Sequence, residues 1–587
     1  MNKHILWILR EWKQQKKFIL IMVFLTVVSA LVSIAYPYMF KIIIDKLKDI
    51  TDNVNKYPEP MKEIYRILWL LGAIGLGQLI AGIYPAFRAW VNYRFEFSLR
   101  TRYFRYISEK DSRFFSKFRS GDLVTRLTND ITDFPKIAWF LGSGIFRAFN
   151  SFITIIFMLI AMFKLNAHLT IYSLIPLPLM LVVFYFVMKS LQERYANNQT
   201  AISKINDQLE MSFSAIHIIK AFACEDKYNR FFDTTLEHRR QTEIKLIQLN
   251  ATITLLWEYI SYFAQIAVII FGGMMAVKGE ITIGTFMAFY TYLGMMIYPL
   301  LDLPQLFLSG KQAFVNMDRL EEIREYPTSL NRFKGDTSPG KELHSIEFDK
   351  INFTYDSQAI FKNVSLNIDP HERTLLLGAV GTGKTTLIEI LTGMLKPDSG
   401  SININGIALE MLNRKEFLNM LGYVPQEPLL FAGSIHENIH FAAKEASVED
   451  YKAALLTAQI ADEVKQMEDG DETDLQQRGS NVSGGQKQRL TIARALIRKP
   501  QFLIFDDITA SLDAQNEMKL WDAMNEYYPD TGALVVSHRI STIQYADKII
   551  YIKENGKVLM GTHKELLNLD DEYQNFVAEI EDYHKKD

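Results

Sequence analysis

The residues best suited to chemistry lie at 378–386, which read GAVGTGKTT between two apolar runs. An apolar run, a glycine-rich turn and a second apolar run predict a strand, a loop and the start of a helix. The glycines allow successive backbone N–H groups to point at one chain of phosphates, at the positive end of the following helix. Lys384 would reach the outer phosphates, and the Thr385 hydroxyl would complete a Mg²⁺ shell. The pattern predicts a cradle for a nucleotide polyphosphate and its metal.

Two more predicted strands end in polar residues that suit the same chemistry. The run 502–506, FLIFD, ends in Asp506, a carboxylate placed to hold Mg²⁺ through water. Asp507 follows where a base or a water-orienting carboxylate is needed. The run 534–537 precedes His538, which could reach a terminal phosphate. A lone histidine after a strand is more often structural, but the two phosphate-binding patterns before it favour the catalytic interpretation.

A second glycine-containing turn, NVSGGQ at 481–486, precedes a helix-forming pattern at 487–497. Glycines and a hydroxyl at a helix amino terminus predict a second anion site. Since about a hundred residues separate it from the first, one chain has two distinct phosphate sites. This suggests that two chains share each nucleotide.

The elements that must position these residues are of two kinds. Up to about residue 310 the chain has apolar runs near the ~20 residues that cross a bilayer. The predicted spans are 18–40, 67–87, 139–163, 169–188, 253–277 and 283–303. Later, strand-like and helix-like runs alternate around GAVGTGKTT, as in an α/β nucleotide-binding domain. The predicted fold is an all-α six-helix transmembrane domain at 1–310, a linker at 311–345 and an α/β P-loop nucleotide-binding domain at 346–587.

Charge indicates how the chain crosses the membrane. The segments after the second and fourth spans run for about fifty residues and carry most of the Arg and Lys, whereas those after the third and fifth are short. By the positive-inside rule, the long segments, both termini and the P-loop domain are cytosolic, and the protein is expected in the cell membrane. Residues 1–17 have the pattern of an interfacial amphipathic helix. The long apolar run behind them favours a retained anchor over a cleaved signal peptide.

Composition excludes several other classes. The 587 residues carry a net charge of −3, so no basic field exists to attract nucleic acid. The single cysteine, Cys224, cannot form an intrachain disulfide, and no metal-ligand pattern surrounds it in the sequence.

A few polar residues interrupt the spans. Arg147 and Asn150 share one face of the third span, and Glu258 and Gln265 share one face of the fifth. Polar side chains at such depth mark either a substrate path or interhelical packing, and the sequence leaves both open.

Six spans followed by this ordered set of motifs resemble a half-transporter of the ATP-binding cassette (ABC) exporter family, with its membrane and nucleotide domains fused. The resemblance covers nearly the whole chain. It implies a head-to-tail dimer that encloses two ATP molecules with Mg²⁺ and alternates between inward-open and outward-open cavities. The implied partners are a second half-transporter, membrane lipid and a small hydrophobic or amphipathic substrate. The segments 114–130 and 207–225 are similar to the two coupling-helix regions of the family.

The resemblance also implies a role for individual residues. Tyr355 would stack on adenine, Gln426 would form the lid between Mg²⁺ and the membrane domain, and His538 would be the γ-phosphate switch. The implied ATP contacts are Tyr355, Gly378, Ala379, Val380, Gly381, Thr382, Gly383, Lys384, Thr385 and Thr386, with Ser483, Gly484, Gly485 and Gln486 as the signature motif. The implied catalytic groups are Asp507, His538 and Gln426, the metal contacts are Thr385, Gln426 and Asp506, and the loop across the dimer is Ser511, Leu512 and Asp513.

Two positions depart from the family pattern. The carboxylate after the second motif is usually Glu and is Asp507 here, and the usually acidic, glycine-containing stretch before the signature reads TDLQQRG at 473–479. Asp is one methylene shorter, about 1.5 Å of reach, and misplacement of that size costs roughly a hundredfold in rate. ATP binding should survive while hydrolysis at this site is slow. The sequence thus favours the degenerate-site subunit of a heterodimeric multidrug or lipid exporter. A homodimeric lipid or drug flippase and an ATP-binding regulatory subunit that does not transport are the alternatives.

Overall fold

The computed structural model describes residues 2–52, 59–132, 136–175, 177–327, 335–355, 358–508, 514–537 and 539–584. The chain divides into two compact units. The first comprises Met1–Phe104 and Val124–Ile323, and the second comprises Arg105–Leu123 and Arg324–Asp587. The first unit is helical and the second contains the β-sheets, so the predicted fusion of an all-α domain with an α/β domain is confirmed.

The helices up to residue 325 include several that are long enough to cross a bilayer. They are α1 (Asn2–Gln14), α2 (Lys16–Asp52), α3 (Pro60–Ser108), α4 (Ser112–Lys117), α5 (Ser120–Leu127), α6 (Asn129–Thr132), α7 (Ile137–Trp139), α8 (Ile145–Leu165), α9 (Ala167–Leu174), α10 (Leu177–Ser214), α11 (Ile216–Ala221), α12 (Glu225–Ala267), α13 (Gly273–Val277) and α14 (Ile283–Glu325). Short π-helical turns at Phe140–Gly144 and Val268–Gly272 join α7 to α8 and α12 to α13.

Five helical stretches of the described chain are long and apolar enough to span a membrane. They are Lys16–Asp52, Met61–Ser108, Ser120–Leu165, Glu225–Val277 and Ile283–Leu300. A helix satisfies its own backbone hydrogen bonds, which is why apolar segments of this length can exist in lipid. The predicted span at 169–188 crosses residue 176 and several side chains that lie outside the described residues, so this sixth span stays a prediction.

Several helices continue well past their apolar runs. The polar extension of α3 reaches Ser108, and α10 and α12 form a long pair around α11. The described parts of the two long polar segments are therefore mostly helical. The last helix of the membrane domain, α14, reaches Glu325 and therefore includes residues 311–325 of the segment predicted as a linker.

The second unit contains a mainly parallel six-stranded sheet in the order β12-β11-β3-β10-β9-β6 and an antiparallel four-stranded sheet in the order β2-β1-β4-β5. The strands are β1 (Ile346–Tyr355), β2 (Gln358–Ile368), β3 (Arg373–Gly378), β4 (Ser399–Ile404), β5 (Ile407–Ala408), β6 (Leu421–Val424), β7 (Gly433–Ser434), β8 (Asp474–Leu475), β9 (Phe502–Asp506), β10 (Gly532–Val536), β11 (Lys548–Ile552) and β12 (Val558–Gly561). The short strands β7 and β8 pair with each other.

Helices cover both faces of the six-stranded sheet, which explains why its strands are continuously apolar. On β9, Phe502 and Ile504 pack into one core cluster and Leu503 and Phe505 into another, all fully buried. The helices are α15 (Lys384–Leu391), α16 (Arg414–Asn419), α17 (Ile435–His440), α18 (Val448–Thr457), α19 (Ala461–Gln466), α20 (Gly484–Leu496), α21 (Ala514–Tyr527), α22 (His563–Leu569) and α23 (Asp571–His584). Short 3-10 turns lie at Leu409–Met411, Gly470–Glu472, Gln477–Gly479 and Ile540–Tyr545.

Candidate functional site

The parallel strands bring four predicted motifs to one edge of the sheet. Val536 at the end of β10 is in register with Asp506 at the end of β9 and with Leu376 near the end of β3. On the other side of β9, Val424 of β6 is in register with Phe505. The segments that leave the carboxyl ends of parallel strands therefore meet there, as in other open α/β sheets that bind ligands.

The loop after β3 has the backbone geometry of a phosphate cradle. Gly378, Gly381 and Gly383 have φ of +154°, +86° and +102°, which side-chain-bearing residues rarely adopt. A Cβ on Gly378 would lie 2.6 Å from the Ile552 carbonyl oxygen, and one on Gly383 would collide with Ile360. Gly383 is also the residue at which α15 begins. The loop thus needs its glycines both for conformation and for space.

Lys384 is held inside this loop. Its Nζ donates to the carbonyl oxygens of Gly378 at 2.8 Å and Ala379 at 2.9 Å, and the side chain is buried. Burial lowers the pKa of Lys384, and the Asp507 and Asp506 carboxylates nearby act in the opposite direction. The ammonium group is therefore fixed at the mouth of the loop, where it can attract outer phosphates.

The two carboxylates after β9 have different surroundings. Asp506 is buried, and burial raises its pKa to about 6, although a hydrogen bond from Thr385 favours the ionised form. Asp507 adopts a left-handed conformation with φ of +52°, and its backbone N–H donates to the Val536 carbonyl at 3.1 Å. The Gln426 amide Nε2 donates to Asp507 Oδ2 at 3.4 Å. A hydrogen bond thus joins Gln426, which follows β6, to Asp507, which follows β9.

These residues fit Mg²⁺ and a nucleotide polyphosphate. Thr385 bonds to Asp506, and Gln426 bonds to Asp507, the next residue in the chain. Hydroxyl, carboxylate and amide oxygens are the ligands that Mg²⁺ prefers, together with water and phosphate. A buried carboxylate with a raised pKa is a group that a divalent cation would stabilise in its charged form. Thr385, Asp506 and Gln426 would hold the metal, which would supply neutralisation of phosphate charge, and Lys384 and the loop N–H groups would orient the chain of phosphates.

The signature motif begins a helix with both of its capping hydrogen bonds in place. Ser483 is the N-cap of α20: its hydroxyl accepts from the Gln486 backbone at 3.2 Å, and the Gln486 side chain accepts from the Ser483 backbone at 2.9 Å. Gln486 Nε2 also donates to Glu463 at 2.9 Å, a contact that the sequence pattern did not indicate. Gly484 is exposed, with open space where a side chain would lie. The capping hydrogen bonds hold the start of the helix, and the exposed Gly484 leaves its amino terminus accessible to an anion.

Tyr355, the predicted adenine-stacking residue, lies at the end of β1 with its side chain partly exposed. Its ring makes an edge contact with Phe353, with centroids 4.8 Å apart. The Arg113 guanidinium lies 6.0 Å from the Tyr355 ring centroid and 4.6 Å from that of Phe353, and it donates to the Thr354 carbonyl at 3.2 Å. A residue from the first long polar segment thus braces the strand that carries the aromatic ring.

Helix α4, which follows the polar extension of α3, packs beside the P-loop helix α15. The Ser112 hydroxyl donates to Glu389 at 2.6 Å, and the Ser112 backbone N–H donates to the Met394 carbonyl at 3.2 Å. Phe114 is fully buried against Phe118 and Tyr326, with centroids 4.6 and 5.3 Å away. Helix α4, which overlaps the start of the first segment that resembles a coupling region, therefore contacts the nucleotide-binding domain through Ser112.

The second such segment presents apolar side chains at its surface. Around α11, Phe213, Ile218 and Phe222 are 69%, 62% and 75% exposed. Exposed apolar side chains of this size are candidates for contact with another surface.

His538 and the loop Ser511, Leu512 and Asp513 lie outside the described residues. The residues around His538 include a network that sequence patterns did not reveal. The Thr542 hydroxyl lies 2.9 Å from Ser537 Oγ and donates to the buried Glu517 at 2.8 Å, and Glu517 pairs with Arg539 at 3.6 Å. These contacts fix the backbone on both sides of position 538.

In the membrane domain the four candidate cavity residues have separate surroundings. Arg147 pairs with Asp302 at 2.6 Å, a partner that the sequence analysis did not identify. Asn150 follows on the same face of α8. On α12, Glu258 is exposed and Gln265 Nε2 lies 3.4 Å from Ser261 Oγ of the same helix.

Two family models match this chain. Residues 19–300 match the ABC transporter transmembrane region, and residues 361–510 match the ABC transporter domain. Two relatives come from Bacillus subtilis (strain 168) and Escherichia coli (strain K12). The first, an uncharacterised ABC transporter ATP-binding protein, YfiB, is 30% identical over 520 residues, which is 86% of this chain and 89% of the relative. The second, multidrug resistance-like ATP-binding protein MdlA, is 25% identical over 94% of this chain and 92% of the relative.

A protein of the same name, MdlA, from Buchnera aphidicola subsp. Schizaphis graminum (strain Sg) is 29% identical over 84% of this chain and 86% of its own length. All three relatives thus share both domains with this chain. One assignment follows from the multi-pass membrane domain, the ATP-binding domain and these matches. The chain belongs to the ATP-binding cassette transporter family, as a half-transporter of the exporter type whose ATPase activity is coupled to transport.

Proposed function

We propose that the chain exports or flips a hydrophobic or amphipathic substrate by alternating access, as one subunit of a heterodimer whose other chain carries Glu at the position of Asp507. The observation that carries the proposal is the short carboxylate of Asp507 beside a complete phosphate cradle. Lys384 and Thr385 are positioned to bind the nucleotide, while Asp507 is held by Gln426 at 3.4 Å.

Asp507 should be poor at orienting a water molecule for in-line attack on the nucleotide. Its carboxylate ends about 1.5 Å short of where a glutamate would end, and a displacement of that size costs roughly a hundredfold in rate. The left-handed backbone and its hydrogen bond to Val536 fix the starting point of the side chain, so the loss of reach cannot be recovered by a small backbone shift. This site would hold Mg-ATP longer than it hydrolyses it.

The intact signature motif would serve the other nucleotide. Ser483 and Gln486 form a capping box whose exposed helix terminus can meet a phosphate bound by a partner chain. In this arrangement hydrolysis occurs at the partner's P-loop, opposite this chain's signature. The exposed apolar residues around α11 would contact the nucleotide-binding domain of that partner.

The remaining features follow the same assignment. Residues 1–310 would form the transmembrane domain, 311–345 the connection and 346–587 the nucleotide-binding domain. Mg²⁺ would bind between Thr385, Asp506 and Gln426. The protein would lie in the cell membrane with both termini and the nucleotide-binding domain in the cytosol. Two relatives are named multidrug resistance-like, which supports a hydrophobic or amphipathic substrate.

Reconstitution tests this proposal. The chain should be placed in proteoliposomes alone and with each candidate partner that has Glu at the equivalent position. ATP-driven movement of a fluorescent amphiphile is expected only in the mixed vesicles, with ATPase activity at least tenfold above that of either chain alone. Equal transport by the chain alone would contradict the heterodimer.

A further inference from the structure

A cluster of charged residues lies at one end of three spans of the membrane domain. Arg88 follows directly on the apolar run 67–87 of α3, Arg147 lies within the run 139–163 of α8, and Asp302 lies near the end of the run 283–303 of α14. For α3 and α8 this end adjoins the first long polar segment, and for α14 it adjoins the polar continuation of the same helix. Arg147 and Asp302 lie within apolar runs, where ionisable residues are costly in lipid and mark functional sites in the protein interior.

The contacts of Asp302 show how the cluster is arranged. Its two carboxylate oxygens bond to different groups of α8, Oδ1 to the Arg147 guanidinium at 2.6 Å and Oδ2 to the Ser151 hydroxyl at 2.9 Å. Arg88 lies over the Tyr84 ring, 4.7 Å from its centroid, and the Tyr84 hydroxyl donates to the carbonyl of Phe146, the neighbour of Arg147, at 3.1 Å. The cluster therefore contains two guanidinium groups and one carboxylate, which leaves one excess positive charge.

The polar side of α8 faces the protein rather than lipid. Arg147, Asn150, Ser151 and Thr154 lie along one face of this helix, and the last two are buried. The exposed apolar residues of α8, such as Phe152, lie on the other side. The Arg147 side chain is still 44% exposed, so it borders open space on the polar side of the helix.

Two buried polar atoms in this region have no hydrogen-bond partner among the described residues. They are Nε of Arg88 and Oδ1 of Asn150. Buried polar groups are normally paired, so unpaired ones beside an excess charge indicate a ligand or water that completes the set. A purely structural ion pair would need only one arginine for Asp302 and would leave no uncompensated charge at this depth.

We propose that Arg88 and Arg147 bind the anionic headgroup, a phosphate or carboxylate, of an amphipathic substrate. This inference rests on the proposed transport function and names its substrate class. The guanidinium groups suit such a headgroup because each can donate two parallel hydrogen bonds to its oxygens. Asp302 holds Arg147 until the headgroup replaces it, so binding would break the link between α8 and α14.

Binding of amphiphiles that share one chain length and differ in headgroup tests the proposal. The full chain should be placed in phosphatidylcholine nanodiscs without nucleotide, and dissociation constants measured for dodecyl phosphate, laurate, dodecyl maltoside and dodecyltrimethylammonium. The two anionic amphiphiles should bind at least tenfold more tightly than the other two. Similar affinities for all four amphiphiles would overturn the proposal.

Variants then separate recognition from packing. Arg88→Gln should weaken dodecyl phosphate binding about tenfold and leave dodecyl maltoside binding unchanged, whereas Arg88→Lys should largely restore it. Asp302→Asn should tighten dodecyl phosphate binding several-fold, because a competing anion is removed. Loss of binding in Asp302→Asn would instead show that the pair is structural. Since Asp302→Asn is predicted to gain affinity, a folding defect cannot imitate the expected result.

Arg94→Gln is the matched control, since Arg94 lies on the same helix as Arg88 but contacts Gln15 and Phe18 instead of the cluster. It should leave dodecyl phosphate binding unchanged, and an equal loss would indicate general surface attraction. Inorganic phosphate at the same concentrations should not displace dodecyl phosphate, and displacement would overturn the amphiphilic class. Binding is measured without ATP and therefore does not depend on transport. If the chain still prefers anionic amphiphiles but transports nothing, that result would count against the transport function alone.

Discussion

The Gln426 amide Nε2 lies 3.4 Å from Asp507 Oδ2, so the lid after β6 and the carboxylate after β9 are joined by a hydrogen bond. Beside this pair, Thr385 bonds to Asp506, and Lys384 is held within the P-loop. In the proposed mechanism, nucleotide binding and hydrolysis would depend on neighbouring but different side chains. Substitutions can therefore affect one step and leave the other.

Thr385→Ala should remove most of the effect of Mg²⁺ on ATP affinity. The hydroxyl that faces Asp506 would be lost, and with it one of the oxygens suited to the metal. We expect the ratio of affinities measured with Mg²⁺ and with a chelator to fall roughly tenfold, in binding of a fluorescent ATP analogue. Thr392→Ala, at the end of the same helix, should leave the ratio unchanged because its hydroxyl bonds to the Ile388 carbonyl. An unaltered ratio in Thr385→Ala would count against this metal site.

Ser483→Ala should affect the partner's hydrolysis beyond its effect on stability. Ser483 and Ser447 each begin a helix with a full capping box, and loss of either cap should cost about 1 kcal/mol. Melting temperatures of the two variants should therefore fall by similar amounts. Only Ser483→Ala should lower ATPase activity of the assembled transporter, by roughly tenfold or more. Equal activity in both variants would argue against a role for Ser483 at the nucleotide.

Phe114→Ala should uncouple the membrane domain from ATP hydrolysis. The fully buried ring packs against Phe118 and Tyr326, and its removal should cost about 3–5 kcal/mol of local packing. ATP binding should remain, while stimulation of ATPase activity by substrate should be lost in the assembled transporter. Phe115→Ala is the control, since its side chain is 48% exposed and should tolerate truncation. Normal stimulation in Phe114→Ala would contradict a coupling role for α4.

Glu389 should make stability depend on pH. Burial raises the pKa of Glu389, the Ser112 hydrogen bond lowers it and Asp111 raises it. Tyr355, Tyr423 and Asp506 are the other titratable groups that interact with it. A raised pKa means that the folded state binds this proton more tightly than the unfolded state, so stability from Glu389 is greatest in acid and falls as pH rises through the folded pKa.

Glu389→Gln, which stays neutral, should therefore gain melting temperature relative to the wild type as the pH rises above the ordinary pKa of a glutamate. The measurement is thermal unfolding of the full chain at several pH values. Glu526→Gln, which removes an exposed carboxylate on α21, should show a flat difference. A difference for Glu389→Gln that stays constant or falls with pH would refute this assignment.

The meeting of these motifs at one edge of the sheet could be predicted from the sequence because each motif is local, while their role in nucleotide binding stays a prediction. GAVGTGKTT, FLIFDD and NVSGGQ each carry their own strand or helix start, and parallel strand order brings the first two together. The hydrogen bond between Gln426 and Asp507 could not be predicted in the same way. It depends on the register between β6 and β9, which are far apart in sequence.

The membrane domain was predicted less completely. Periodicity placed Arg147 and Asn150 on one face of a span, but it could not identify Asp302, whose helix lies much later in the chain. Arg88 lies just beyond an apolar run, where a basic residue is ordinary, and only its position near Arg147 and Asp302 distinguishes it. Pairing between helices requires the tertiary structure, since the apolar pattern of a span does not specify its neighbour.

Asp507→Glu is the most direct test of the central claim that this chain's own site binds ATP but hydrolyses it slowly. ATPase activity of the purified chain alone should be low in the wild type, nearly unchanged in Asp507→Asn, and raised roughly tenfold to a hundredfold in Asp507→Glu. Fast hydrolysis by the wild-type chain that Asp507→Asn abolishes and Asp507→Glu does not increase would contradict the account.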